Sequence, residues 1–272
     1  MSDPRIKPRV PAVNPEHPLA KGLVGAWAMQ DGGGSVLRNV SGNGFDGVIT
    51  DATWTSDRYG TALEFDQAVD DGVAIGSSVV SGVRTVAFTW TFPNGWGSWE
   101  PSDSYLWARA DMPTNDDMYA CIATMLGNMD FYRMIGAANG FFRTTQSTWA
   151  AGHPYHIVFV IDPVDGIKVY IDGVREVPNV IHNTTLAVVA DSDDFYIGRR
   201  HNRGALYGVG LCSDFRLWTR AIDANEATSL YQDPWSLYRS PEPVLAGAPA
   251  AGGFFEFDQL TGGMPDLRGG MV

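Results

Sequence analysis

The sequence predicts an all-β protein: a closed two-sheet antiparallel sandwich with one short helix near its C-terminal end. Three observations lead there. Thirteen Phe, ten Tyr and nine Trp stand against only 18% charged residues in 272 positions, a bias that suits pleated, half-buried surfaces. Apolar residues recur with period two, so that RTVAFTWTF sets Val86, Phe88, Trp90 and Phe92 on one face, and YHIVFVID does the same for Tyr155, Ile157, Phe159 and Ile161. Turn chemistry punctuates these runs: Asp162-Pro163-Val164-Asp165-Gly166 and Asp172-Gly173 flank GIKVYIDG as hairpin reversals.

The other strand signals follow in order as LVGAWAM, GVIT, ALEFD, GVAI, SYLWARA, MYACIATM, DFYRMIG, GFFRTTQ, DFYIGR and ALYGVGLCSDFRLW. A single helix is well signalled. Asp223 and Glu226 form a D-x-x-E capping pattern ahead of Ala227, Leu230 and Tyr231, and Pro234 sets its end. Many short strands and one helix make a sandwich.

Composition divides the chain into three zones. Residues 1–18 carry prolines at 4, 8, 11, 15 and 18, which remove backbone donors and favour an extended arm. Residues 19–240 hold the sandwich. Residues 241–272 contain seven glycines and the linker AGAPAAGG before FFEFDQL. That tail cannot bury Phe254, Phe255, Phe257 and Leu260 by itself, so these four are expected to bind a partner.

A net charge of -12 and an isoelectric point near 4.7 disfavour a dedicated nucleic-acid binder, which needs a basic patch against phosphates. The N-terminal MSDPRIKPRVP has charge and proline where a signal peptide has an apolar run. No window approaches the roughly 18 apolar residues of a membrane span, so a protein made in the cytoplasm with no membrane partner is expected. Cys121 and Cys212 sit in apolar strand-like runs and read as buried, reduced thiols.

HPLAKGLVGAWAM, LRNVSGNGFDGVI, YGTALEFDQAVDDGVAI, KVYIDGVRE, DFYIGRR and SDFRLWTRAIDANEATSLYQDPWSLY occur in an order that resembles the concanavalin A-like, laminin-G-like jelly-roll family, across about residues 17–240. The form with HPLA in front and DPWSLY behind is similar to those encoded in bacteriophage and prophage genomes beside virion structural genes. The resemblance implies a jelly-roll sandwich and a structural Ca²⁺ site, although no cofactor is required. Asn39 stands where the family usually has Asp, with Ser41 and Asn43 in the same loop and Asp214 as the acid on the last strand. Ca²⁺ suits such a set because it accepts six to eight oxygens in loose geometry; the alternative is a glycine turn without an ion. Asp66, Asp70 and Asp71 match the family's FDG-x-D-D turn, with Gln67 replacing the glycine, and also read as an ordinary solvated turn.

Enzymatic signatures are incomplete. Glycosidases of this class set acids as E-x-D-x-x-E on one strand, with the carboxyls of a retaining pair about 5–5.5 Å apart. LEFDQAV offers Glu64 and Asp66 but then Val69, and FEFDQLT offers Glu256 and Asp258 but then Thr261. No G-x-S-x-G elbow is present, His153, His156, His182 and His201 have no metal-site spacing, and neither cysteine has a neighbouring His to activate it. No enzyme is expected.

Trp96 and Trp99 offer a platform on which sugar rings could stack, or else they close one end of the sandwich; Trp107 belongs to a strand and the core. The basic run from Gly198 to Gly204 reads as a hairpin tip, or as arginine forks on an acidic partner. The expectation drawn is a non-enzymatic virion structural protein that decorates or cements a tailed-phage capsid in many copies. Its arms would attach it to the major capsid protein or another virion subunit. The alternatives are a carbohydrate-binding or host-recognition module and, third, a glycoside hydrolase.

Overall fold

The computed structural model describes residues 7–8, 11–66, 71–76, 82–98, 102–110, 118–135, 138–183, 194–200 and 207–238. The chain divides into two units, Met1–Ser240 and Pro241–Val272. The second lies outside the described residues, and with it Phe254, Phe255, Phe257 and Leu260.

Within the first unit the described strands are β1 (Leu23–Trp27), β2 (Val36–Leu37), β3 (Gly47–Thr50), β4 (Thr53–Asp57), β5 (Gly60–Phe65), β6 (Gly72–Ile75), β7 (Thr85–Thr91) and β8 (Ser104–Ala110). There follow β9 (Met118–Ala123), β10 (Met129–Ile135), β11 (Ala138–Thr144), β12 (Pro154–Asp162), β13 (Gly166–Ile171), β14 (Val174–Arg175), β15 (Pro178–Asn183), β16 (Phe195–Ile197) and β17 (Gly210–Trp218). They build an eight-stranded sheet in the order β14-β13-β12-β7-β17-β5-β4, with β1 also on β17, and a nine-stranded sheet in the order β15-β11-β10-β9-β8-β16-β6-β3-β2. Pairings in both are antiparallel, as the hairpin-rich sequence requires.

The core lies between the sheets. Val86, Phe88 and Trp90 of β7 and Ile157, Phe159 and Ile161 of β12 face Trp107, Tyr119, Phe131 and Phe195 of the other sheet. Phe131 stacks on Phe159 at 5.2 Å and Trp107 on Phe195 at 5.7 Å. Each such side chain stabilises the fold by about 1.5–3 kcal/mol through area removed from water. The period-two faces read from the sequence are therefore the faces that meet.

The outer face of the eight-stranded sheet is covered too. Helix α1 (Ala224–Gln232) lays Ala227 and Leu230, together with Trp235 and Leu237, over Ala87, Val158, Val160 and Tyr170. Its start is a complete capping box: the Glu226 amide donates to Asp223 Oδ1 at 2.8 Å, and the Asp223 amide to Glu226 Oε2 at 3.0 Å. The N-terminal segment also lies on the body, with the Lys7 amide donating to the Tyr59 carbonyl and the Asn14 amide to the Leu237 carbonyl. Among the described residues no helix packs on the outer face of the nine-stranded sheet.

The structure differs from the sequence reading in the last long strand, which begins at Gly210 rather than near Ala205. At Gly210, φ is +129° and a Cβ would come within 2.5 Å of the Thr91 carbonyl, so regular strand starts only there. Strands β4 and β15 gave no clear sequence signal. Both are edge strands with little buried surface to impose alternation.

Candidate functional site

On the outer face of the nine-stranded sheet, register gathers a row of rings. Tyr132 of β10 pairs directly with Phe141 of β11, and Phe141 with His182 of β15. Directly opposed residues bring their Cβ atoms to about 4.5–5.5 Å, and here the ring centroids are 4.9 Å apart for Tyr132–Phe141 and 6.0 Å for Phe141–His182. The row continues through Ala120 of β9 and Ala108 of β8 to Tyr196 of β16. Arginines close that far end: Arg199 lies 4.7 Å from the Tyr196 ring and Arg200 5.8 Å from Tyr105, leaving each tyrosine 6% exposed. Tyr132 and Phe141 are half-buried and His182 is exposed, so the open part of the row is the β10-β11-β15 end.

Beside the open rings lies a preset polar pair. Arg143 donates from Nε to Asp130 Oδ1 at 2.7 Å and from Nη2 to Oδ2 at 2.6 Å, a two-point fork. The Tyr132 hydroxyl donates to Asp130 Oδ2 at 3.2 Å, and the Arg143 guanidinium stands 5.5 Å from the Phe141 centroid. Burial and the neighbouring Asp130 carboxylate push the Tyr132 hydroxyl well above the usual phenol range, so it remains a donor. Sequence reasoning did not single out these residues. The signal was the paired aromatics Phe131-Tyr132 and Phe141-Phe142, which put one ring on each face of a strand; Phe131 and Phe142 take the core side.

A second feature is a cleft of about 730 Å³ between β4, β5, the start of β17 and the Phe92–Gly95 turn. Asp51, Glu64, Asp66, Asp71 and Asn94 line it, and no basic side chain among the described residues does. The turn is closed by the Gly95 amide donating to the Phe92 carbonyl at 3.1 Å. Asp71 is 1% exposed, and its Oδ2 accepts the Asp66 amide at 2.5 Å. Burial raises this carboxyl to a pKa of about 7 despite that bond. The acids read as a solvated turn thus include one that is not solvated. Asp70, Gln67 and Val69 lie outside the described residues.

Trp96 does not form an exposed platform. It is 1% exposed, its indole N–H donates to the Thr124 carbonyl at 2.9 Å, and its ring packs 5.3 Å from Phe92. Backbone bonds to Trp149 on both sides fix it as a plug at one end of the sandwich. Trp99 lies outside the described residues, as do His201, Asn202, Arg203, Glu256, Asp258 and Thr261.

The proposed calcium residues are engaged otherwise. Asn39 Oδ1 accepts the amides of Ala26 at 3.0 Å and Ser41 at 2.9 Å, and its own side-chain amide donates to the Gly44 carbonyl. The Asn43 amide donates to the carbonyls of Leu23 at 3.2 Å and Val24 at 3.4 Å, and the Ser41 hydroxyl to Val24 at 3.2 Å. A cation here would meet N–H groups where it needs oxygens. Asp214 faces Arg216 instead, with Oδ1 3.1 Å from Nε and Oδ2 2.9 Å from Nη2, both side chains 0% exposed. Burial drives the Asp214 carboxyl up, while Arg216 and Lys7 pull it back. Among the described residues no three His, Cys, Asp or Glu are grouped to hold a metal. The donor set does not fit a resident Ca²⁺.

The remaining candidates are structural. His153 Nε2 lies 2.9 Å from Asp172, whose other oxygen accepts the His156 amide at 2.9 Å. His156 is enclosed, and burial lowers its pKa to about 3. Cys121 and Cys212 are unbridged and buried, which raises both thiols and leaves them poor nucleophiles. No helix of the described residues is long and apolar enough to cross a membrane.

No curated protein matches. Among solved structures, the Trypanosoma rangeli sialidase in complex with sialic acid aligns at a TM-score of 0.60 and 20% identity, over 81% of this chain and 34% of the sialidase. The binding domain of Paraclostridial Mosquitocidal Protein 1 aligns at 0.61 and 12% identity, over 78% of this chain and 52% of that one. Domain 4 of AbnA, a GH43 extracellular arabinanase from Geobacillus stearothermophilus solved with arabinotriose, aligns at 0.53 and 17%, over 77% of this chain and 98% of that one. This chain spans about a third of the length of the sialidases it matches, and at these identities the likeness shows the fold. The capsid-decoration reading is overturned by these matches: a sialidase and an arabinanase domain stand where virion proteins were expected. A family model described as the concanavalin A-like lectin/glucanases superfamily matches residues 67–228, more than half of the chain, and with both antiparallel sheets and the late helix in place the chain belongs to that superfamily.

Proposed function

We propose that this protein is a non-catalytic glycan-binding module and that sugar lies on the Tyr132–Phe141–His182 row. The observation that carries the reading is the register of β10, β11 and β15, which lines up two half-buried rings and one exposed ring at the β15 edge of the outer face, beside a fixed Arg143–Asp130 pair. Ring faces accept the C–H surface of a sugar, while a few placed polar groups read its hydroxyls. Arg143 and Asp130 already hold each other, so little order is lost when a ligand docks. A superfamily of lectins and glucanases, and an aligned domain solved with arabinotriose, support the same reading.

The carboxylate beside the row supports binding without turnover. Asp130 is held by Arg143 and Tyr132 and is almost wholly buried, so it is not placed to protonate a leaving oxygen. In most glycosidase families cleavage also uses a second carboxyl across the bond. The test is binding of arabino-oligosaccharides and sialylated oligosaccharides by calorimetry and on an immobilised glycan panel. Phe141→Ala and Tyr132→Ala should each weaken binding about 5- to 30-fold, the equivalent of 1–2 kcal/mol for a stacked aromatic, with unchanged melting curves. Wild-type affinity in both variants, or no glycan binding by the native chain, would refute the proposal.

A further inference from the structure

We infer that the acidic cleft between β4, β5 and the Phe92–Gly95 turn is a second binding site that takes an amino sugar, its ammonium held by Asp71, Asp66 and Glu64. The inference rests on the reading of this chain as a glycan-binding module, but not on the aromatic row. Four carboxylates line the cleft with no basic side chain among the described residues, so its field favours a cation. Asp71, which lines the cleft, supplies a further sign of a missing donor: its Oδ1 is buried with no hydrogen-bond partner. A buried acceptor left unmade is costly, and a ligand N–H would satisfy it.

The shape of the charge selects the ligand class. A divalent metal needs several hard oxygens converging at about 2.3–2.6 Å, whereas no three acids here are grouped that closely. An ammonium brings three donors on one atom, and the hydroxyls of a hexosamine add more. Glu64, Asp66 and Asn94 stand exposed to accept them, with Pro93 and Val209 as an apolar wall. The cleft, about 730 Å³, falls within the usual roughly 300–1,000 Å³ of small-molecule sites.

The experiment is calorimetry on the full chain with a glucosamine tetramer, the N-acetylglucosamine tetramer and calcium chloride, each at low and high salt. The glucosamine tetramer should bind at least about tenfold more tightly than its acetylated counterpart and weaken with salt. The exposed pair Glu64→Gln with Asp66→Asn should reduce its affinity about fivefold or more without altering the fold, and Asp71→Asn should do the same. Phe141→Ala should leave it unchanged. Equal affinity for the two tetramers, indifference to Glu64→Gln with Asp66→Asn, loss on Phe141→Ala, or saturable calcium binding that displaces the amino sugar would each overturn the inference. If neutral and sialylated glycans fail at the aromatic row while glucosamine still binds through Glu64 and Asp66, the row falls and the cleft stands.

Discussion

Replacing Asp214 by Asn tests whether that carboxylate serves a cation site or an internal ion pair. In the folded chain it meets Arg216 at 2.9 and 3.1 Å with both side chains 0% exposed. Arg216 is further enclosed by the rings of Tyr238 and Trp235, at 5.0 and 5.5 Å, and donates to the Pro234 carbonyl. Lys7 is buried nearby, and desolvation lowers its ammonium to a pKa of about 8, with Asp57 and Asp214 opposing. Asp214→Asn therefore strips the counter-charge from a guanidinium that cannot deprotonate, and weakens the hold on Lys7. Breaking a buried pair in this way costs about 3–5 kcal/mol, and a folded unit of this size loses about 2–4 °C per kcal/mol. The expected fall in melting temperature is thus about 6–20 °C. Thermal unfolding of both proteins should be followed with added calcium and with EDTA, and the loss should be the same in either. A native melting temperature that rises several degrees with calcium, by an increment absent from the variant, would refute the ion-pair account and return Asp214 to a metal.

Two further predictions separate the remaining roles. Trp96→Ala removes a buried ring and leaves the Thr124 carbonyl without its indole donor; it should cost about 3–5 kcal/mol in chemical denaturation. Glycan affinity of the folded fraction should be unchanged, and a selective loss of binding would restore Trp96 as a platform. His156 should make the fold acid-sensitive: the unfolded chain takes up a proton below about pH 6.5 that the folded one refuses until about pH 3, so stability falls as pH drops. Between pH 7 and 4.5 that loss is about 2–3 kcal/mol. Asp71, with its pKa near 7 in the fold, acts in the opposite sense over about pH 4–7. The informative measurement is therefore the difference between native and His156→Phe urea midpoints at the two pH values, and parallel profiles would refute the assignment.

How much of this was legible depended on whether a residue's partner was local. The alternating faces of β7 and β12, the hairpin at Asp172-Gly173 and the Asp223–Glu226 cap were readable because each is written within a few residues. Trp96 misled because an indole in a glycine-rich loop looks the same whether it points to solvent or plugs the end of the sandwich against Trp149, more than fifty positions away. Asp214 misled for a related reason: its partner is two residues along the same strand, but only a bulge between Cys212 and Asp214, with Lys7 folded in from the N-terminal segment, makes that face a buried charged pocket. The Tyr132–Phe141–His182 row required the pairing of three strands to be known. Paired aromatics in the sequence announce that one ring must face outward; they do not say which neighbours it meets.

The two outer faces of the sandwich explain why the row, and not some other exposed aromatic group, is the place to look. Every sandwich must decide what to do with its outward-pointing strand positions, and here the eight-stranded sheet commits Ala87, Val158, Val160 and Tyr170 to covering by α1 and the segment around Trp235. Those positions are small or β-branched apart from Tyr170, as suits a surface that must accept a helix. On the nine-stranded sheet the corresponding positions read Tyr196, Ala108, Ala120, Tyr132, Phe141 and His182, with Asp130 and Arg143 one row along. Tyr196, Ala108 and Ala120 are buried there beside the arginines, whereas Tyr132, Phe141 and His182 keep part of their rings accessible, more than solvation alone would select, since Thr, Lys or Glu would serve that purpose at lower aggregation risk. On the proposed reading, the accessible end of the row suits a ligand that is itself half apolar and half hydroxyl, and a sugar ring has that character.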